Sequence, residues 1–291
     1  MTASEHYTAL QGFYEKLTRN RAIRIPLWLP GTRTLEEAML HAHVYMAKAA
    51  KPTKGRQILD AGCGLGSTAF WLAKSFAVRV VGVSNSESNI DRCRELAADL
   101  GLKHLTDFRV ADLMTSVFAE GAFDSVWNLE SLNYLAPKQQ YIQKVFGMLK
   151  PGGTWVCMDR YGDLSGCRDG VKGATLAALT TGFYTPQHWE GAAALQTYML
   201  QAGFGNITYL NLTEYALPSR AARRRGGWAA APVLWASLLR PSSFRAMLRA
   251  FRVIRASLDL MERGLMTYGL LSGTKPSAQS HSCLLYTSRC V

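Results

Sequence analysis

The chain predicts an α/β fold with a Rossmann-like, mostly parallel sheet and an antiparallel last strand. Three observations carry that expectation. Ile58-Leu59 is an apolar strand end followed by Asp60, by the turn Gly62-Cys63-Gly64-Leu65-Gly66 and by a helix starting near Ser67. From about Gly55 to Asp159, strand-like and helix-like segments alternate, the pattern of parallel strands joined by right-handed crossovers. Beyond that point Asn206 to Leu212 alternates as a strand, and about Leu265 to Gly273 reads as a final strand that pairs with it.

Taken in order, residues before Lys54 read as helices interrupted at Ile25-Pro26-Leu27-Trp28-Leu29-Pro30-Gly31. Thr34 with Glu37 is a capping-box signature for a helix running toward Ala50. After the glycine-rich turn, Phe70, Trp71, Ala73 and Phe76 mark an amphipathic helix, and Val78 to Val83 completes a β-α-β unit. Residues Arg160 to Thr185 read as loop, and a helix is expected from about Pro186 to Gln201. The expected organisation is an N-terminal helical cap (1–54), a core (55–217), a basic helical insert (218–263), a closing strand (264–276) and a tail (277–291). The tail continues no pattern and reads as non-native sequence.

The insert is the second informative feature. Phe244, Met247, Leu248, Phe251, Ile254, Leu258, Met261 and Leu265 recur at helical spacing, with Arg245, Arg249, Arg252 and Arg255 largely between them. Ten arginines against Asp259 and Glu262 give the segment a net charge of +8 out of the chain's +12. A solvated charged face, a lipid-facing helix and a nucleic-acid surface all fit such a segment, although no RNA-binding module accompanies it.

Composition narrows the class. With 291 residues, 48% hydrophobic and 19% charged, the chain can bury a large core. Its six cysteines lack Cys-x-x-Cys spacing, so neither a zinc site nor a disulfide framework is expected, and no metal site is predicted. Met1 to Leu10 contains Glu5 and no apolar core, and no apolar run approaches the roughly 18 residues that span a bilayer. The expected location is cytoplasmic, with peripheral membrane contact through 218–263 left open.

A dinucleotide loop needs Gly-x-Gly-x-x-Gly to hold a pyrophosphate on the helix N-terminus. Here the pattern is Asp60-x-Gly62-x-Gly64-x-Gly66. This form, with Val80-Val81-Gly82-Val83-Ser84, Ala111-Asp112-Leu113, Phe123-Asp124-Ser125-Val126-Trp127 and Leu149-Lys150-Pro151-Gly152-Gly153 in order, resembles the class I S-adenosylmethionine-dependent methyltransferases. The resemblance implies a seven-stranded sheet, S-adenosylmethionine as cofactor, and a cap over the cofactor cleft. Within that class, Trp127-Asn128-Leu129-Glu130-Ser131 and the C-terminal insertion are similar to the tocopherol C-methyltransferase group, whereas Leu132-Asn133-Tyr134 looks more like the terpene C-methyltransferases. The group's histidine-glycine signature is absent around Arg24 to Trp28.

The resemblance implies cofactor contacts from Asp60, Gly62, Cys63, Gly64, Gly66, Ser84, Asn85, Asp112, Leu113, Trp127 and Asn128. Asp60 is expected to meet the amino-acid end and Asp112 the adenine amino group. Ser84-Asn85-Ser86 stands where most of the class has a ribose-binding acid. Glu130 is the expected catalytic carboxylate, with Tyr134 shaping the pocket, although Glu130 also fits a helix cap and Trp127 also fits plain core packing. His188 is either a surface residue or a base. The expected reaction is methylation, at carbon, of a small lipophilic acceptor such as an isoprenoid, prenylated quinol or sterol-like compound. N-methylation of an alkaloid or other amine is the alternative, ahead of a nucleic-acid methyltransferase or an inactive cofactor-binding protein.

Overall fold

The computed structural model describes residues 24–163, 188–217 and 241–277, without the side chains of 241–251. Among these residues the chain forms one seven-stranded sheet in the order β3-β2-β1-β4-β5-β7-β6. Its strands are β1 (Gln57–Ala61), β2 (Arg79–Ser84), β3 (Thr106–Val110), β4 (Phe123–Leu129), β5 (Leu149–Tyr161), β6 (Gly205–Asn211) and β7 (Thr267–Thr274). Pairings from β3 through β5 are parallel, and β7 runs antiparallel between β5 and β6. The expected fold class and the pairing of the last two strands both hold.

The helices are α1 (Leu35–Ala50), α2 (Ser67–Phe76), α3 (Glu87–Asp99), α4 (Lys138–Met148), α5 (Ala192–Ala202), the single turn α6 (Thr213–Ala216) and α7 (Pro241–Glu262). Helix α1 begins with the expected capping box between Thr34 and Glu37, which satisfies two otherwise orphaned backbone donors. The central strands are buried on both faces, as parallel strands covered by crossover helices must be. One face packs Ile58, Val80 and Met158 against Met46, Leu72, Ile90 and Leu260 of α1, α2, α3 and α7. The other packs Leu59, Val126 and Trp155 against Tyr141, Ile142, Leu195 and Met199 of α4 and α5.

Strand order reverses at β1, which pairs with β2 on one side and β4 on the other. The carboxyl ends of β1 and β4 therefore open a crevice, the position where doubly wound sheets bind ligands. Four local expectations are corrected. Helix α5 starts at Ala192 rather than near Pro186, because the preceding backbone is spent elsewhere: His188 N–H donates to Asn133, and Glu190 accepts from Gly162. The fourth strand runs on to Leu129. The fifth strand runs through Arg160 and Tyr161, so the loop expected from Arg160 starts later; in α7 the buried stripe is Val253, Ala256, Ser257, Leu260 and Met261, while Ile254 is exposed. The expected loop 164–185 and tail 278–291 lie outside the described residues, as do 218–240 of the insert.

Candidate active site and cofactor cleft

A cavity of about 430 Å³ occupies the crevice and extends under α7, within the range of small-ligand sites. One end is walled by Gly62, Cys63, Gly64, Ser84, Asn85, Asp112 and Leu113. The glycines have separate tasks there. A side chain on Gly62, which has φ +91°, would start 2.4 Å from Ser131 Cβ, so this glycine lets β1 and the β4 turn pack together. Gly64, at φ +52°, has nothing within 4 Å of its missing Cβ. Gly64 also lines the cavity, and a ligand can approach its backbone only while that space stays open. Gly66 ends the turn against Phe70 and Cys93.

Asp60 lies beneath this loop rather than in the cavity wall, 2% exposed. Burial pushes its pKa up to about 7, against the opposing pull of the Ala69 backbone N–H and of Arg24. Its Oδ2 is buried without a hydrogen-bond partner among the described residues. A buried carboxylate oxygen left orphaned is costly unless a cationic or hydrogen-bonding group completes it. Asp112 lines the cavity with one oxygen committed: Oδ1 accepts from the backbone N–H groups of Met114 and Thr115. Ser84 and Asn85 reach the wall, while Ser86 caps α3.

Two of the residues expected to contact the cofactor are placed in the core behind this end. Trp127 is fully buried in the core, its indole N–H donating to Ser125 at 2.8 Å, and it does not line the cavity. Asn128 is a buried hydrogen-bond hub. It donates to the Ala61 carbonyl and to Ser131, and its Oδ1 accepts from Tyr141 and Trp155. It braces β4 against β1 and α4. The residue of that strand that does reach the cavity is Leu129.

The other end of the cavity is built around Glu130. This residue has φ +53°, a left-handed backbone that costs a non-glycine residue about 1 kcal/mol or more. It is held there by its N–H donating to Met158 and by its carboxyl group, whose Oε1 accepts from Ile25 N–H at 2.6 Å and from Tyr268 Oη at 2.9 Å. Neither contact is a helix cap. Burial raises the Glu130 pKa, while Arg160, the Ile25 N–H and the Tyr268 hydroxyl oppose the shift. Tyr134 lines the same cavity, as expected.

The sequence reading missed Arg24, Tyr268 and Arg160. Arg24 lines the cavity, donates to the Met39 carbonyl and meets His43 Nε2 at 2.8 Å. Burial lowers its pKa only to about 10, so it stays charged at neutral pH. The imidazole of His43, stacked on Trp71, is held neutral by burial and by Arg24. Arg160 and Ser257 close the far wall, where Ile254 and Leu258 of α7 add apolar surface. His188 is exposed, and the Lys138 ammonium donates to its backbone carbonyl. No group of side chains able to hold a metal occurs among the described residues.

Residues 58–153 match a family model described as a methyltransferase domain. The chain is 32% identical over 128 residues to the chloroplastic tocopherol O-methyltransferase of Arabidopsis thaliana, covering 42% of this chain and 36% of that protein. It is 32% identical over 126 residues to a sterol 24-C-methyltransferase of Aspergillus fumigatus, covering 42% and 33% respectively. The chain thus spans about a third of the length of these relatives. In structure it is similar to geranyl diphosphate C-methyltransferase from Streptomyces coelicolor A3(2), with a TM-score of 0.67, 16% identity and coverage of 93% of this chain and 97% of that one. That likeness shows the class I methyltransferase fold.

Proposed function

We propose, from the methyltransferase domain match over residues 58–153 and the class I fold that carries it, that this protein transfers a methyl group from S-adenosylmethionine to a small lipophilic acceptor. The observation that supports the cofactor reading best is the pairing of the open space at Gly64 with the orphaned Oδ2 of Asp60. The first leaves room for a ligand against the loop backbone, and the second, buried just beneath that loop, leaves a carboxyl oxygen for a cationic or hydrogen-bonding group that reaches it. Asp112 and Asn85 stand at the opposite side of the same compartment, suited to a nucleoside. Bound there, the cofactor supplies an electrophilic methyl group.

The rest falls to the protein. Methyl transfer is an in-line displacement, so the residues around the cavity align the nucleophile and exclude water. Leu129, Leu135, Ile254 and Leu258 offer apolar surface to the acceptor. Glu130, with its pKa raised and Oε1 clamped by two donors, is positioned to take a proton from the acceptor. This favours C-methylation of an isoprenoid, prenylated quinol or sterol-like compound, where a proton must leave the attacked carbon. The relatives include enzymes named for O- and C-methylation of such compounds. N-methylation of an amine remains the alternative reading of the same carboxylate.

The exposed arginines Arg252 and Arg255 flank Ile254, which is 41% exposed. They suit contact with an anionic membrane surface from which a lipophilic acceptor is drawn. No described helix is long and apolar enough to cross a membrane. Incubation with methyl-labelled S-adenosylmethionine and a lipid extract, followed by identification of the labelled product, tests the whole reading. Label in no product, with cofactor bound, would leave a cofactor-binding protein without transferase activity.

A further inference from the structure

Arg160 sits at the carboxyl end of β5 with 4% of its surface exposed, yet it lines the cavity. A guanidinium carries five N–H donors. Among the described residues its side chain makes a single hydrogen bond, from Nη1 to Ser257 Oγ at 3.4 Å, and its Nε is buried with no hydrogen-bond partner. Asp159 lies 3.9 Å from Nε, and Glu130 also offsets the charge of the guanidinium. Both Asp159 oxygens are already engaged by Leu132 N–H, Asn133 Nδ2 and the Arg160 backbone N–H. Meanwhile the Trp189 ring lies 5.2 Å from the guanidinium carbon and covers one of its faces.

A buried cation with most of its donors idle is expensive unless an acceptor group arrives to use them. The carboxylates of Glu130 and Asp159 offset the charge of the guanidinium, but neither takes one of its idle N–H donors within hydrogen-bond distance. Glu130 spends its Oε1 on Ile25 and Tyr268, and the nucleoside wall is at the other end of the cavity. Tyr134, Ser257, Ile254 and Leu258 line the cavity together with Arg160, and Glu130, Asp159, Tyr134 and Tyr268 lie within electrostatic reach of it.

We propose that Arg160, assisted by Ser257, is a head-group site in the acceptor cavity, and that the acceptor carries an oxyanion on an apolar body. Carboxylate, phenolate and phosphate share the required chemistry, because each presents paired oxygens or a concentrated negative charge to the guanidinium. The proposal rests on the methyl-acceptor reading above and names the acceptor's polar end. It also separates two tasks: Arg160 selects and orients the head, and Glu130 handles the proton.

The test uses calorimetry on the full chain saturated with S-adenosylhomocysteine, with geranate and geraniol as probes that share one carbon skeleton. At about pH 7.5 the parent protein is expected to bind geranate at least about tenfold more tightly than geraniol. Arg160→Met should erase that preference, and Arg160→Lys, which keeps the charge but loses the planar fork, should retain part of it. Binding of S-adenosylhomocysteine checks the fold of each variant; if the Met variant loses it, the Lys variant alone decides, through a preference reduced from the parent's. Equal binding of the two probes by the parent, binding of neither, or a preference undiminished in a folded variant would overturn the proposal. Failure of the parent to bind S-adenosylhomocysteine would instead sink the methyltransferase reading, so the two failures are distinguishable.

Discussion

Tyr268 and Glu130, 138 positions apart, meet at 2.9 Å, the phenol of β7 donating to the carboxyl group that ends β4. The donor favours the ionised carboxylate and opposes the upward push of burial on the Glu130 pKa. Removing it in Tyr268→Phe should raise that pKa further. A base is active when deprotonated, so the acidic limb of the methyl-transfer pH profile should move to higher pH in the variant, with the plateau at high pH largely kept. A profile that does not move would deny Glu130 the role of base.

Glu130→Gln keeps the shape and an acceptor oxygen for Ile25 and Tyr268 but cannot take a proton. Turnover in the labelled-methyl assay should drop by about 100-fold or more, while S-adenosylhomocysteine affinity stays within about twofold because the carboxyl group stands apart from the nucleoside wall. Equal turnover of the two proteins would reduce Glu130 to an architectural clamp.

Asp60 links cofactor binding to pH. Burial lifts its pKa to about 7 in the folded protein, well above the ordinary aspartate value of 3.8. A raised carboxyl pKa stabilises the fold below the ordinary value and loses that contribution as pH rises toward 7, by something on the order of 4 kcal/mol in full. Asp60→Asn should therefore melt higher than the parent at neutral to alkaline pH and show a flatter dependence between about pH 4 and 7. It should also bind S-adenosylhomocysteine at least about tenfold more weakly, because the ionised form is the one that pairs with an amino group. In the parent, affinity should weaken as pH falls below 7, with release of up to one proton on binding in calorimetry marking the linkage.

The loop glycines should separate by phenotype. Gly64→Val fills the space left for a ligand and should weaken S-adenosylhomocysteine binding at a temperature where the variant is still folded, although its φ of +52° also costs a β-branched residue roughly 1–3 kcal/mol of stability. Gly62→Ala drives a methyl group to 2.4 Å from Ser131 Cβ, so its main effect should be a loss of stability of about 2 kcal/mol or more. Calorimetry and thermal melts on both variants distinguish the two outcomes.

Arg252→Gln with Arg255→Gln tests the membrane reading. Sedimentation with anionic vesicles at low salt should show weaker association than the parent, by about 1 kcal/mol per charge removed near the surface, and neutral vesicles should bind neither protein. Should both proteins ignore anionic vesicles, α7 would be left with its part in walling the cavity.

The parts of this molecule that were legible in its sequence are those whose constraint is local. The Asp60 to Gly66 turn needs particular residues at fixed spacing, the Thr34–Glu37 box caps one helix, and the alternation of segments dictates the parallel sheet. Trp127 and Asn128 were misplaced for a physical reason. A strand covered on both faces gives no alternation between polar and apolar residues, so nothing in 123–129 says which side chain tips into the crevice. It is Leu129. Arg24, Arg160 and Tyr268 were invisible for a different reason, since each reaches the cavity through tertiary closure and none belongs to a short motif. The misread start of α5 is of the same kind: the carbonyl and amide groups of 188–190 are claimed by Asn133, Lys138 and Gly162, far away in sequence.

The placement of β7 between β5 and β6 makes the two ends of the cavity depend on different strands. The loop end draws on residues 62–113, carried by β1 through β3. The Glu130 end also needs a strand from near the end of the chain, paired antiparallel with β5 from Tyr161 with Thr267 to Thr154 with Thr274. Local opening of β7 together with the edge strand β6 would withdraw the phenol from Glu130 and leave the β1 turn in place. Methyl transfer is therefore expected to fade at a lower temperature than S-adenosylhomocysteine binding, a difference that activity and calorimetry along one temperature series would read.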